Sequence, residues 1–496
     1  MSSIALDGGT RAVPGLEIEH AAVVSIGGGL GSFALVDRLR VAGVPADDIR
    51  VVGLDADPSA TFARTCRASG MLLGDRLRSD SSARMDNIWG FPGYAATEAR
   101  QLRNPLPLLR TLVEPILAQP YTPTVGLLTD GIAREAARIG WPAMVRVGEA
   151  HRILPRPEGG FRVLVRREDG GDLAIDCDHV HLALGAAGPQ HSELTDLYRT
   201  RYGNDRVRHA YEPHEEVYQA LRRGGGKVLV RGSGIASSRV IQRLVEDRDH
   251  TGEDVHIWQL FRHYHDAPSG PLTARFDASC GYHYQAFSFP KAAFGGQLRD
   301  QIRTTSGEER RALVKELGAT STPYRSLWSR QLRRGRSEGW YDAVAGELVG
   351  LAPGQRALPG DPAEGLTAAV LLQNDERLDL DLDFVIDATG RDTDAAHHPL
   401  IRALVVDRLV ELNEDGGIVV DDSFAAVRCS PEGHGSIFAT GLTAQGGALG
   451  PVDSFLGLQS AALTISRCLA AAGVGQPLTP LRSLRAWRAW MGGTPL

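Results

Sequence analysis

Val23-Val24-Ser25-Ile26-Gly27-Gly28-Gly29-Leu30-Gly31-Ser32 is an apolar, β-favouring run that breaks on three successive glycines and continues as a helix-compatible segment to Arg40. Aligned on the pattern G-x-G-x-x-G, the three key positions are Gly27, Gly29 and Ser32. The first glycine permits a tight turn, the second lets backbone approach a pyrophosphate, and a small third residue lets helix and strand pack closely. The pyrophosphate then meets the N-terminus of the helix Ser32–Arg40, where backbone N–H groups and the helix dipole favour an anion. A site of this kind also needs a carboxylate after the next strand to accept bonds from ribose hydroxyls. Val51-Val52-Gly53-Leu54-Asp55 supplies it, with Asp57 as a second choice.

The same pattern returns at Val228-Leu229-Val230-Arg231-Gly232-Ser233-Gly234-Ile235-Ala236-Ser237, with Gly232, Gly234 and Ser237 in the three places. Here the following strand, Val255 to Leu260, runs into Phe261-Arg262-His263 instead of an acid. A carboxylate would repel a 2′-phosphate, whereas a guanidinium grips one with paired charged hydrogen bonds. The second loop is therefore expected to take NADPH, with Arg262 on the phosphate and Arg239 as a lesser candidate. Buried strands ending in glycine recur at Asp178–Gly185, Phe384–Gly390 and Ser436–Gly441, and a helix is expected from about Phe455 to Ala471. This order predicts an α/β protein with two Rossmann-like dinucleotide-binding domains, the second inserted in the first.

The 496 residues suggest two to four domains at about 150 residues each. The expected organisation is a leader over 1–18, a first domain in two parts over 19–224 and 396–478, and a second domain over 225–395. The second domain carries a charged helical and aromatic insertion over 264–345. Residues 479–496 form a basic amphipathic tail with Trp487 and Trp490, suited to a membrane surface, a partner or, most simply, its own protein. A net charge of −6 gives no basic footprint for nucleic acid. No run approaches the about 18 to 20 apolar residues that cross a bilayer, and nothing resembles a signal peptide, so cytoplasm is the expected compartment. The five cysteines form no C-x-x-C pair, and the histidines of 263–297 follow no metal-ligand spacing, so no metal is expected.

With both loops in place, the chain resembles the two-dinucleotide-binding-domain flavoproteins. Among these it is most similar to class B flavin monooxygenases and microbial amine N-hydroxylases. Leu182-Ala183-Leu184-Gly185, Ala388-Thr389-Gly390 and Ile437-Phe438-Ala439-Thr440-Gly441 sit where that superfamily has its strand-and-glycine crossings. Arg208-His209-Ala210-Tyr211 stands where the monooxygenases carry a His-Ser-plus-aromatic signature, with Ala210 in place of the serine. Leu442 replaces the Asp that often follows the last glycine, and Asp453 is the substitute.

The resemblance implies that FAD occupies the first loop, with Gly441 and Asp453 beside it. It also implies that NADPH reduces FAD and that O2 adds at the flavin C4a atom. The hydroperoxide so formed would hydroxylate a small nucleophilic substrate such as an amine. Arg84, Asn87 and Trp89 are the candidates facing the flavin, and the N-terminus of the Phe455 helix is expected to face its pyrimidine edge. Two further readings stay open: an NAD(P)H-dependent flavin dehydrogenase or reductase without oxygen insertion, and a flavin-binding regulatory protein without turnover. Nothing in the sequence opposes a homo-oligomer or names the substrate.

Overall fold

The computed structural model describes residues 16–77, 90–112, 121–186, 188–262, 297–305, 307–318, 326–354, 365–427, 435–444 and 454–496. Thirteen strands among them form two sheets. The first contains β1 (Glu17–Ile26), β2 (Ile49–Gly53), β3 (Val145–Pro155), β4 (Phe161–Arg167), β5 (Asp172–Leu182) and, from far along the chain, β13 (Ser436–Ala439). The second contains β6 (Val207–His209), β7 (Gly226–Arg231), β8 (Val255–Phe261), β9 (Tyr341–Pro353), β10 (Leu366–Leu372), β11 (Arg377–Leu382) and β12 (Phe384–Asp387).

Both sheets follow one plan. In the first, β13, β5, β1, β2 and the start of β3 lie side by side and parallel. In the second, β6, β12, β7, β8 and the start of β9 do the same. Past that point β3 and β9 each leave the parallel layer and turn into an antiparallel meander, β3-β4-β5 and β9-β10-β11. The parallel strands read as continuous apolar runs because helices cover one face and the meander or its neighbours the other. Val23, Phe33, Ile132, Phe438 and Ile465 fill the helical side of the first sheet, while Val24, Val52, Val163, Leu404 and Ile437 fill the opposite side.

β13 returns the chain to the first sheet, so the second domain is an insertion, as expected. Its start is earlier than the expected residue 225. β6 hydrogen-bonds β12, and the helix Glu193–Tyr202 that precedes β6 packs Tyr198 into the second domain's core, so the chain crosses over near residue 190. Leu400, Ile401 and Leu404 already belong to the first domain's core. The two crossings between domains pair with each other: Gln190 N donates to the Gly390 carbonyl at 3.2 Å and Asp392 N to the Gly188 carbonyl at 2.9 Å.

Within the charged segment 264–345, the described residues form helices at Gln297–Thr304, Gly307–Gly318 and Ser326–Glu338. Trp340 and Tyr341 are core residues packed with Leu332 of the last of these helices. The basic tail forms the helix Pro480–Gly492 and docks on its own domain. Trp490 is buried edge-to-face on Tyr94 at 5.2 Å, under the Arg134 guanidinium at 5.0 Å, in a notch left by Gly93. None of the helices among the described residues is long and apolar enough to cross a membrane.

Under the first domain's helices, Asp37, Glu135 and Arg138 are buried together, with Arg138 Nε donating to Glu135 at 2.6 Å. Burial first, and the nearby Glu135 second, hold the Asp37 carboxyl well above the usual carboxylate range. Its folded state thus binds a proton that the unfolded chain releases. The associated stability is complete below the ordinary Asp range and is lost as pH rises through the raised folded value. Asp37→Asn should therefore melt above the wild type at alkaline pH and converge with it in acid, as read by melting temperature against pH. Trp490→Ala should cost about 3 to 5 kcal/mol in denaturant unfolding, the range for truncating a buried aromatic.

Candidate functional site

Each glycine loop is shaped by a near-collision of backbone. Gly27 has φ +133° and donates its N–H to the Val52 carbonyl at 2.7 Å, and a side chain there would run into the Ala183 carbonyl just past β5. Gly232 repeats every element: φ +138°, an N–H bond to the Leu260 carbonyl at 2.7 Å, and the Ala388 carbonyl just past β12 where a side chain would go. These conformations are open to glycine and costly for other residues. Gly29 and Gly234 differ from them, since a Cβ built on either meets no heavy atom within 4 Å. Nothing among the described residues demands glycine at these two positions. The space beside them is what a close-lying ligand would use.

Ser32 and Ser237, in the third place, are both buried and tie their loops from within. The Ser32 hydroxyl accepts from Gly28 N at 3.1 Å, and the Ser237 hydroxyl donates to the Gly232 carbonyl at 2.7 Å. Helices Leu30–Val41 and Ile235–Thr251 start at Gly29 and Gly234. Neither has a side-chain cap or an acid in its first turn. Other helices here are capped by Thr124, Ser192, Ser454 and Thr479. Two uncapped N-termini at the carboxyl ends of parallel strands are what an anionic diphosphate requires.

Asp55 follows β2, half exposed, and is paired with Arg64 at 2.8 Å, while Asp57 is folded into a turn with Ser59. Arg262 follows β8 with its side chain exposed and its carbonyl accepting from Gln373. Arg239 is placed elsewhere than expected: it is buried, and its guanidinium donates to the Arg76 carbonyl across the domain boundary. Gly441, at φ +71°, opens a short 3-10 turn that ends β13. Arg84, Asn87, Trp89 and Asp453 lie outside the described residues, as do the 263–296 segment and the 445–453 loop. His209 is buried, accepts from Tyr211 N at 3.2 Å and stands edge-on to His191 at 5.1 Å; burial pushes its pKa down to about 4. No group of His, Cys, Asp and Glu that could hold a metal occurs among the described residues.

Between the domains is a cavity of about 700 Å³, lined among others by Thr61, Thr65, Met71, Tyr211, Arg243 and Arg391. Arg391 spans it, stacked on Tyr211 at 4.5 Å and donating to Thr65 at 2.9 Å. Neither glycine loop reaches this cavity. Sequence reasoning missed Arg391, whose only signal is its place after the Ala388-Thr389-Gly390 crossing. It also missed His181, which joins Ser25 to Thr440 inside the first sheet; two histidines at the buried end of β5 were the available sign.

Neither a protein-family model nor a curated protein sequence matches the chain. Solved structures do match its fold. The ornithine hydroxylase of Pseudomonas aeruginosa is 16% identical, with 91% of this chain and 99% of that one covered and a TM-score of 0.61. The ornithine N-hydroxylase of Kutzneria sp. 744, solved with reduced FAD, NADP+ and L-ornithine, is 15% identical over 92% and 100%, with a TM-score of 0.62. The FAD-bound cadaverine monooxygenase of Erwinia amylovora is 12% identical over 92% and 96%, with a TM-score of 0.63. At these identities the likeness establishes a shared two-domain fold along nearly the whole chain.

The open space at Gly29 separates a structural glycine from a ligand-facing one. Gly29→Ala, at an ordinary φ of −92°, should leave the melting temperature within the scatter of a surface substitution. Gly27→Ala, at φ +133° and against the Ala183 carbonyl, should lower it clearly. Thermal melting of the two variants reads the difference; equal melting temperatures would contradict the assignment.

Proposed function

We propose that this chain is an FAD- and NADPH-dependent monooxygenase that hydroxylates a small nucleophilic substrate, most simply an amine. The observation that carries the reading is the pair of uncapped, glycine-started helices on two sheets of one plan, the first followed by Asp55 and the second by Arg262. The fold shared with the ornithine and cadaverine enzymes supports it.

The residues fit the two nucleotides. Gly27, Gly29 and Ser32 would hold the FAD diphosphate at the N-terminus of helix Leu30–Val41, with Asp55 accepting from the adenosine ribose and Arg64 fixing that carboxylate's direction. Gly441 and the turn after it would bring backbone toward the flavin end, where Arg84, Asn87, Trp89 and Asp453 are the further candidates. Gly232, Gly234 and Ser237 would hold the NADPH diphosphate, and Arg262 would take the 2′-phosphate. FAD, once reduced, supplies the centre that reacts with O2, and the protein's share is to bind, orient and exclude water. A flavin reductase that passes electrons on without inserting oxygen is the second reading. Ala210 supports it, standing where the monooxygenase signature has serine.

Purified protein should be yellow, oxidise NADPH in air, and form a hydroxylamine when ornithine, lysine or cadaverine is supplied. NADPH oxidation that continues without O2, given an artificial electron acceptor, and leaves every amine unchanged in air would select the reductase. A protein that takes up no FAD would end both readings. Arg262→Ala should raise KM for NADPH about tenfold while leaving NADH nearly unchanged, since a charged hydrogen-bond pair is lost with one cofactor only.

A further inference from the structure

Ser25 and His181 lie on the adjacent parallel strands β1 and β5, and Thr440 directly follows β13 beside them, all on the face that carries helix Leu30–Val41. His181 Nδ1 is 2.9 Å from the Ser25 hydroxyl and its Nε2 is 2.8 Å from the Thr440 hydroxyl. All three residues are buried, and burial holds the imidazole neutral with its pKa pushed down to about 3. Placing an imidazole and two hydroxyls in an apolar sheet has a cost even when they satisfy one another, so the trio calls for a reason.

The second domain supplies an internal control. The bond from Ala183 N to the Ile26 carbonyl matches that from Ala388 N to the Arg231 carbonyl, and the bond from Thr440 N to the Leu182 carbonyl matches that from Ala210 N to the Asp387 carbonyl. This registers Ser25 with Val230, His181 with Ile386 and Thr440 with Ala210. The second domain builds the same crossing from three apolar side chains, each fully buried. The fold therefore does not need the polar trio, and its presence is particular to the first site.

Its position suggests the use. Thr440 immediately precedes Gly441, and its hydroxyl is 3.8 Å from where a Cβ on Gly31 would stand, against the first turn of the helix that receives the diphosphate. A neutral imidazole donates from one nitrogen and accepts at the other. When Ser25 O–H donates to Nδ1, Nε2–H donates to the Thr440 oxygen, and the Thr440 proton is left to point at a different acceptor. We infer that His181 is a positioning residue for the first dinucleotide site: it fixes the Thr440 hydroxyl as a donor to an oxygen of the bound FAD. This rests on the first loop taking FAD, as proposed above.

The test compares full-length wild type with His181→Ile, Thr440→Ala and the triple variant Ser25→Val/His181→Ile/Thr440→Ala, which copies the second domain's own residues. Each is stripped of flavin, melted, and titrated with FAD and with NADPH. His181→Ile and Thr440→Ala should each weaken FAD about tenfold, the value of a hydrogen bond to a charged or strongly polar group. The triple variant should melt at or above the wild type, with no polar group left buried in the crossing, and still bind FAD as weakly as the single variants. NADPH affinity should not move. A triple variant that regains wild-type FAD affinity would show the trio to be packing alone and overturn the inference, as would a fall in NADPH affinity in step with FAD. A wild type that takes up no FAD overturns the parent reading and this inference together. A wild type and a His181→Ile variant that bind FAD equally overturn this inference by itself.

Discussion

The approach of the Gly27 backbone to the Ala183 carbonyl is the contact on which the first domain is built. It brings the end of β1 against the crossing that leaves β5, with Gly27 N–H already committed to Val52 on the other side. Three strands thus meet at one point with no room for a side chain. Because the turn is so tight, helix Leu30–Val41 begins at once, and its uncapped N-terminus is delivered to the carboxyl edge of the sheet. The position of that helix N-terminus follows from the crowding at Gly27. Gly232 against the Ala388 carbonyl imposes the same arrangement on the second domain.

Two domains that share so much backbone show which side chains are free to differ. The last row of strand residues in the second sheet is Arg231, Asp387 and His209, with Arg231 and Asp387 ion-paired at 3.2 Å; the corresponding row in the first is Ile26, Leu182 and Ala439. One residue further along β6 and β13, and one back on the other strands, the polarity reverses, with Ser25, His181 and Thr440 set against Val230, Ile386 and Ala210. Polar groups cluster in different layers of the two sheets, on opposite faces, although the hydrogen bonds that define the layers are the same. A single fold can in this way surround two like glycine loops with unlike side chains, and function resides in the side chains placed on the frame.

The domain insertion, the placing of both glycine loops and the strand ends carrying Asp55 and Arg262 were legible in the sequence, because each depends on local spacing: a strand period, a glycine turn and a helix start within about a dozen residues. The boundary expected at residue 225 failed for a complementary reason. β6 is only Val207–His209, too short to show a pattern, and its membership of the second sheet comes from pairing with β12, far along the chain. The tail's fate was equally non-local. Its amphipathic pattern fits a membrane, a partner or its own domain, and only the notch at Gly93 beside Tyr94 selects among them.

The sequence by itself determined the α/β class, the duplication and the two glycine turns, because glycine's backbone freedom and the periodicity of strands are properties of neighbours in the chain. The tertiary structure alone decided which distant residues meet. Ser25 and His181 are 156 residues apart, His181 and Thr440 are 259 apart, and Arg391 reaches Thr65 across 326. No local preference encodes such separations; they are fixed by strand register and by the crossing of the chain between two sheets, which bring together side chains whose chemistry is not visible one segment at a time.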